Sequence, residues 1–201
     1  MATSTASGIA PRTVEPGPAV HDFDFYMGAW WVRHRRLKER LVGSDEWEEF
    51  EGTSRAWPLL DGAGNIDDNV LEMPNGTYRA ISLRTYEPWS ERWSIWWLDG
   101  RTPGRLDPPV VGGFKDGVGT FIGPDTFEGR PILVRFLWSD ITKTTCRWEQ
   151  AFRLRWFLKV LAFMNRCSVQ FQWSDAAHYP LLRANFCCLK MRTFGQSWRS
   201  F

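Results

Sequence analysis

The chain has 201 residues, 43% hydrophobic and 24% charged, a composition that excludes disorder and suits one globular domain. Its formal charge of +2 is too small to argue for nucleic acid, and no run of about 18 apolar residues marks a membrane span. The four cysteines, Cys146, Cys167, Cys187 and Cys188, contain no C-x-x-C pair, which removes the simplest zinc and redox readings.

Residues 1–20 are rich in Ala, Thr, Ser, Pro and Gly and predict a flexible tail. They show no basic segment followed by an apolar one, so the expectation is a cytoplasmic protein with reduced thiols. A short helical turn is expected within 22–27. From Trp30 onward, aromatic and β-branched runs alternate with turn residues every 8–12 positions, the mark of many short strands. The expected strands are 30–41, 47–57, 65–73, 77–86, 92–98, 110–115, 118–122, 132–138 and 146–152. Asn75-Gly76 and Asp116-Gly117 are hairpin signals, since type I′ turns need positive φ at both central positions. Nine hairpin-linked strands predict an all-β fold: an up-and-down antiparallel barrel or a sandwich, the barrel leaving no unpaired edge.

Gly28-Ala29-Trp30 forms a G-x-W that follows the short turn and opens the first strand. The wider set is more specific: the run from His21 to Leu41, Trp47-Glu-Glu-Phe-Glu-Gly52, Trp93-Ser-Ile-Trp-Trp97, Pro108-Pro-Val-Val-Gly112, Arg135-Phe-Leu-Trp-Ser-Asp140 and Arg147-Trp-Glu-Gln-Ala-Phe152. Together, residues 21–152 resemble an uncharacterised bacterial lipocalin-like family. The resemblance implies a single calycin-type β-barrel and no established reaction.

The resemblance stops after Phe152, where the composition also changes. Residues 1–150 carry 17 basic and 22 acidic residues; residues 151–201 carry 8 basic residues, one acid (Asp175) and one glycine (Gly195). Segment 153–201 is therefore set apart as an atypical basic end. It is consistent with a shifted reading frame or a recombined terminus. It is equally consistent with a genuine extension, because Phe152, Leu154, Trp156, Leu158 and Val160 alternate with basic residues as on a half-buried closing strand. Val134-Arg-Phe-Leu-Trp-Ser-Asp140 also recurs as Val169-Gln-Phe-Gln-Trp-Ser-Asp175, which a strand running into an Asp turn produces.

No phosphate-binding loop, G-x-G-x-x-G, H-E-x-x-H or G-x-S-x-G is present, so nucleotide, zinc-protease and hydrolase readings have no motif behind them. His21, His34 and His178 lack ligand spacing, and neither a metal nor a cofactor is expected. Asp67-Asp68, near Asn65 and Asn69, reads as a solvated strand.

The thirteen Trp supply either core or the walls of a cavity for a flat apolar ligand. If Trp30 points inward, as the G-x-W resemblance implies, alternation brings Val32, His34, Arg36 and Lys38 with it. On the second strand, alternation alone leaves open whether the Trp47, Glu49, Glu51 face or the smaller Phe50, Gly52, Ser54 face is interior. On the fourth, Tyr78, Ser82, Arg84 and Tyr86 share a face, and Arg84 is a candidate anchor for an acid or phenol. On the fifth, Trp93, Ile95 and Trp97 oppose Trp96.

The candidate ligand-binding residues are thus Trp30, His34, Arg36, Arg84, Tyr86 and Trp97. The leading expectation is a protein that binds a small apolar or aromatic molecule inside the barrel. One alternative is a cofactor-independent acid–base enzyme using His34 with a carboxylate such as Glu49. Another is an interaction protein using the basic end. The oligomeric state is not legible in the sequence.

Overall fold

Strand reversals fall at the sites that favour positive φ. Asp116 and Gly117 (φ 52° and 77°) make the two-residue link between β6 (Val110–Lys115) and β7 (Val118–Phe127). Glu128 and Gly129 (φ 48° and 75°) do the same between β7 and β8 (Arg130–Ser139). Asn75-Gly76 also closes a hairpin, between β3 (Gly64–Met73) and β4 (Gly76–Glu87), but only Gly76 takes positive φ. The register pairs Met73 with Gly76, so Pro74 and Asn75 are the two linking residues, and Pro74, with φ near −65°, excludes the type I′ turn expected at Asn75-Gly76.

The computed structural model describes residues 17–154 and 164–173. The remaining strands are β1 (Gly28–Leu37), β2 (Trp47–Leu59), β5 (Arg92–Asp99), β9 (Thr145–Leu154) and β10 (Met164–Trp173). Each strand pairs antiparallel with its neighbours in sequence, and β10 pairs with both β9 and β1, closing the barrel. The expected all-β, single up-and-down barrel is the fold that forms. The nine expected strands all occur, within a few residues at most ends.

The closing strand is β10, which contains the Val169–Trp173 part of the near-repeat and sets Trp173 opposite Trp30. The alternating run at 152–160 lies outside the described residues beyond Leu154, and so does the rest of the basic end apart from β10. The expected tail lies outside them as far as residue 16.

Residues 17–20 belong to the barrel's seal. Pro18–His21 and Asp24–Tyr26 form two 3-10 turns that carry Val20, Phe23 and Tyr26 into the core. Phe23 meets Trp93, Phe114 and Trp138 edge to face, at centroid distances of 5.0, 5.1 and 5.8 Å. Such pairs each add about 0.5–1.5 kcal/mol beyond their buried area. Two indoles tie the turns down: Trp93 Nε1 donates to the Ala19 carbonyl (2.9 Å) and Trp30 Nε1 to the Tyr26 carbonyl (2.7 Å). One end of the barrel is therefore a packed aromatic plug.

Period-two alternation sorts the walls. Trp30, Val32, His34 and Arg36 of β1 face inward, as do Trp93, Ile95 and Trp97 of β5. On β2 the smaller face is the interior: Phe50, Gly52, Ser54 and Ala56 are buried, and Glu49, Glu51 and Arg55 are exposed. Lys38 departs from the expected inward series. It lies past the end of β1, exposed, where Glu46 receives its charge at 3.0 Å.

Candidate functional site

Above the plug the barrel encloses a cavity of about 270 Å³ that opens at the opposite end. Its floor is polar. Arg84, from β4, donates from Nη2 to Asp67 Oδ2 (2.6 Å) and from Nη1 to Asn65 Oδ1 (3.0 Å), both on the adjacent β3. Asp67 Oδ1 accepts the Ser82 backbone N–H at 3.0 Å and the Asn69 side-chain amide. The guanidinium lies 5.2, 5.0 and 5.6 Å from the ring centres of Phe23, Tyr26 and Trp138, within cation–π range. The Tyr26 hydroxyl is 2.8 Å from Ser54 Oγ. Burial, reinforced by the Asp67 charge, pushes the Tyr26 phenol well above its ordinary pKa, so it stays protonated. Burial also holds the nearby Cys146 thiol up at about 12, the Arg84 charge opposing only in part.

The walls are apolar and aromatic: Phe50, Leu71, Trp97, Phe136, Trp148 and Phe152 are prominent among them. Phe136 and Trp148 pack edge to face at 4.9 Å. His34 stacks flat on Phe50, at 4.5 Å and 10° between planes. Burial lowers the His34 pKa to about 4, with the neighbouring Arg36 charge adding to the effect. The imidazole is therefore neutral at pH 7.

Charge gathers at the rim in opposed pairs. Arg36 donates to Glu48, and Arg101 binds Asp99 at 2.6 Å while lying 3.9 Å over the Tyr78 ring. The Arg101 hydrogen bond holds the Asp99 carboxyl below its usual range. Beside β5 at the same rim, burial raises the Asp107 carboxyl and the nearby Asp125 charge raises it further.

Four of the six candidate residues, His34, Arg36, Arg84 and Trp97, line this cavity. Trp30 and Tyr86 lie in the plug instead. Trp30 stacks on Tyr26 at 5.6 Å and 17°, and Tyr86 packs on Trp93 at 5.5 Å. The interior faces of β1 and β4 were legible, but periodicity says nothing about depth along the barrel axis.

Two expectations are corrected. Asp67 is not on a solvated strand: it is buried beneath the cavity because it must neutralise Arg84, and only Asp68 faces outward, to Arg79. Glu49 cannot serve His34. Alternation puts it on the outer face of β2, exposed beside Arg35 at 3.6 Å. Sequence reasoning also missed Gln150 and Asn69 as lining residues. A signal was present at Asn65, Asp67 and Asn69, where every second position is polar.

Among the described residues no group of three His, Cys, Asp or Glu is placed to hold a metal ion, and no helix is long and apolar enough to cross a membrane. No family model matches the chain, and no curated protein does. Among solved structures the chain is similar to the S-type phycobiliprotein lyase CPES from Guillardia theta. The identity is 11%, the match covers 76% of this chain and 90% of that one, and the TM-score is 0.48.

Proposed function

We propose that the barrel binds a small, largely apolar or aromatic molecule in its interior cavity. The observation that carries this reading is the cavity itself: about 270 Å³, walled by Phe50, Trp97, Phe136 and Trp148, sealed at one end and open at the other. Binding sites are concave, mostly apolar and fixed by a few polar groups, and those for drug-sized ligands span roughly 300–1,000 Å³. This volume lies just under that range and fits a compact, flat molecule.

The candidate residues then take different roles. Trp97 offers a stacking wall, His34 a polar contact on the wall, and Arg36 a place at the mouth. Arg84 supports the floor from below, its charge engaged by Asp67.

Naphthalene is a suitable first probe because it has no polar group. Native mass spectrometry of the full chain should show one molecule per chain, with quenching of Trp fluorescence. Trp97→Ala should weaken binding up to about tenfold, the equivalent of one lost aromatic contact. No binding up to the solubility limit of the probe would remove the proposal.

A further inference from the structure

We infer that the occupant carries an uncharged hydrogen-bonding group, a phenol, alcohol or carbonyl, which the imidazole of His34 and the amide of Gln150 bind on the cavity wall. This rests on the proposed binding function and narrows its ligand class.

The charges around the cavity are already engaged. Arg84 is matched by Asp67, Arg36 by Glu48 and Arg101 by Asp99. Arg40 lies over the Phe152 ring at 5.1 Å, and Asp107 stands 3.8 Å from Arg105. Asp125 accepts the Thr126 N–H. An anionic ligand would meet a carboxylate already on Arg84, Arg36 and Arg101, and would have to draw Arg40 off the Phe152 ring, before gaining a cation of its own.

The uncharged polar groups differ. Neither His34 nor Gln150 has a hydrogen-bond partner among the described residues, and both side chains line the cavity. His34 is fixed in plane by its stack on Phe50, and its depressed pKa leaves one ring nitrogen as donor and the other as acceptor at neutral pH. Both side chains are partly buried and present their polar atoms to the cavity, so a ligand group that bonds them exchanges a water contact for a direct hydrogen bond, a small net gain for each bond. His34 lies opposite Val169 of β10, and Gln150 opposite Cys167 on that strand's other edge. The two inward-facing side chains are thus one strand apart on the same wall, and an aromatic body resting on Trp97 or Trp148 remains free to stack.

Three probes with one ring system test this on the full chain at pH 7: naphthalene, 1-naphthol and 1-naphthoate. The expected order has 1-naphthol tightest, by about five- to tenfold over naphthalene, the equivalent of one or two neutral hydrogen bonds. His34→Phe, which keeps a ring to stack on Phe50, should bring the ratio of 1-naphthol to naphthalene affinity close to one. His34→Gln should restore part of the advantage, and Gln150→Leu should reproduce the loss in smaller measure. Near-UV circular dichroism and the melting temperature report whether each variant is folded; the probe order on the unmodified chain stands without them. Equal affinity for naphthalene and 1-naphthol overturns the inference, and so does tightest binding of 1-naphthoate. Both outcomes leave the cavity reading intact. Failure of all three probes to bind instead overturns the binding function, and this inference with it.

Discussion

Arg84 and Asp67 meet at 2.6 Å across neighbouring strands, with 3% and 1% of their side chains exposed. A pair so deeply buried gains little over a well-packed apolar pair, yet losing one member strands the other charge away from water. Asp67→Ala should therefore destabilise the chain by about 3–5 kcal/mol, whereas Arg84→Met combined with Asp67→Leu should cost much less. Urea denaturation of the two variants checks this. A loss below about 1 kcal/mol for Asp67→Ala would show that the pair is not what holds the floor.

His34 sets a pH dependence. Its pKa is about 4 in the folded chain against 6.5 as the ordinary value, so the unfolded state takes up a proton first as pH falls. Stability should be unaffected above about pH 6.5, decline between there and pH 4 by up to about 3 kcal/mol from this residue, and receive no further change from it below. The NMR titration of the imidazole gives the folded value directly, and His34→Phe should flatten this part of the stability curve. A midpoint near 6.5 in the folded chain would contradict the burial argument.

Gly52 permits the close approach of β2 and β3 beside His34. A Cβ there would enter the van der Waals shell of the Val70 carbonyl and stand 3.2 Å from His34 Nε2. Gly52→Ala should cost about 1–3 kcal/mol, as overpacking typically does. Gly104, where a Cβ would meet nothing within 4 Å, is the control, and Gly104→Ala should be close to neutral. Matched melting temperatures for the two variants would refute the assignment.

Cys146 should resist alkylation in the folded chain. It is buried, and its thiol titrates at about 12, so the reactive thiolate is scarce at pH 8. Iodoacetamide followed by peptide mapping should leave Cys146 unmodified until denaturant is added. Rapid labelling without denaturant would mean that the plug opens readily.

The barrel closes only through β10. A chain ending at residue 154 would leave β1 and β9 each with an unpaired edge, the usual template for association. Light scattering coupled to size exclusion should show oligomers or aggregates for that truncation and a narrower distribution for the full chain. An unchanged, well-dispersed truncation would show that closure by β10 is dispensable.

The β pattern was readable because aromatic runs and turn residues alternate so regularly between Trp30 and Phe152. The face of β1 came from the G-x-W resemblance, which sets Trp30 inward; alternation then carries Val32, His34 and Arg36 with it. β3 defeated the same logic because its pattern is inverted: Ile66 and Val70 lie on the outward-facing side, while Asn65, Asp67 and Asn69 face in. Only the register, which sets Asp67 opposite Ser82 and Asn65 opposite Arg84, explains why polar residues are tolerated there. Register is a long-range property that no local window contains. The same limit hid the depth of Tyr86, whose face was correct for a lining residue but whose level places it in the plug. It also hid β10, which is separated from β9 by a segment whose charge and composition resemble nothing before it.

The aromatic plug has a kinetic consequence. With Phe23, Tyr26 and Trp30 stoppering one end, arrival and departure of any occupant share, among the described residues, the mouth ringed by Arg36, Arg101 and Asp107. By microscopic reversibility, a change at that doorway which touches only the molecule in transit scales the on-rate and the off-rate alike. Residence time can then be tuned at the rim with Kd untouched, while affinity is set separately by the walls.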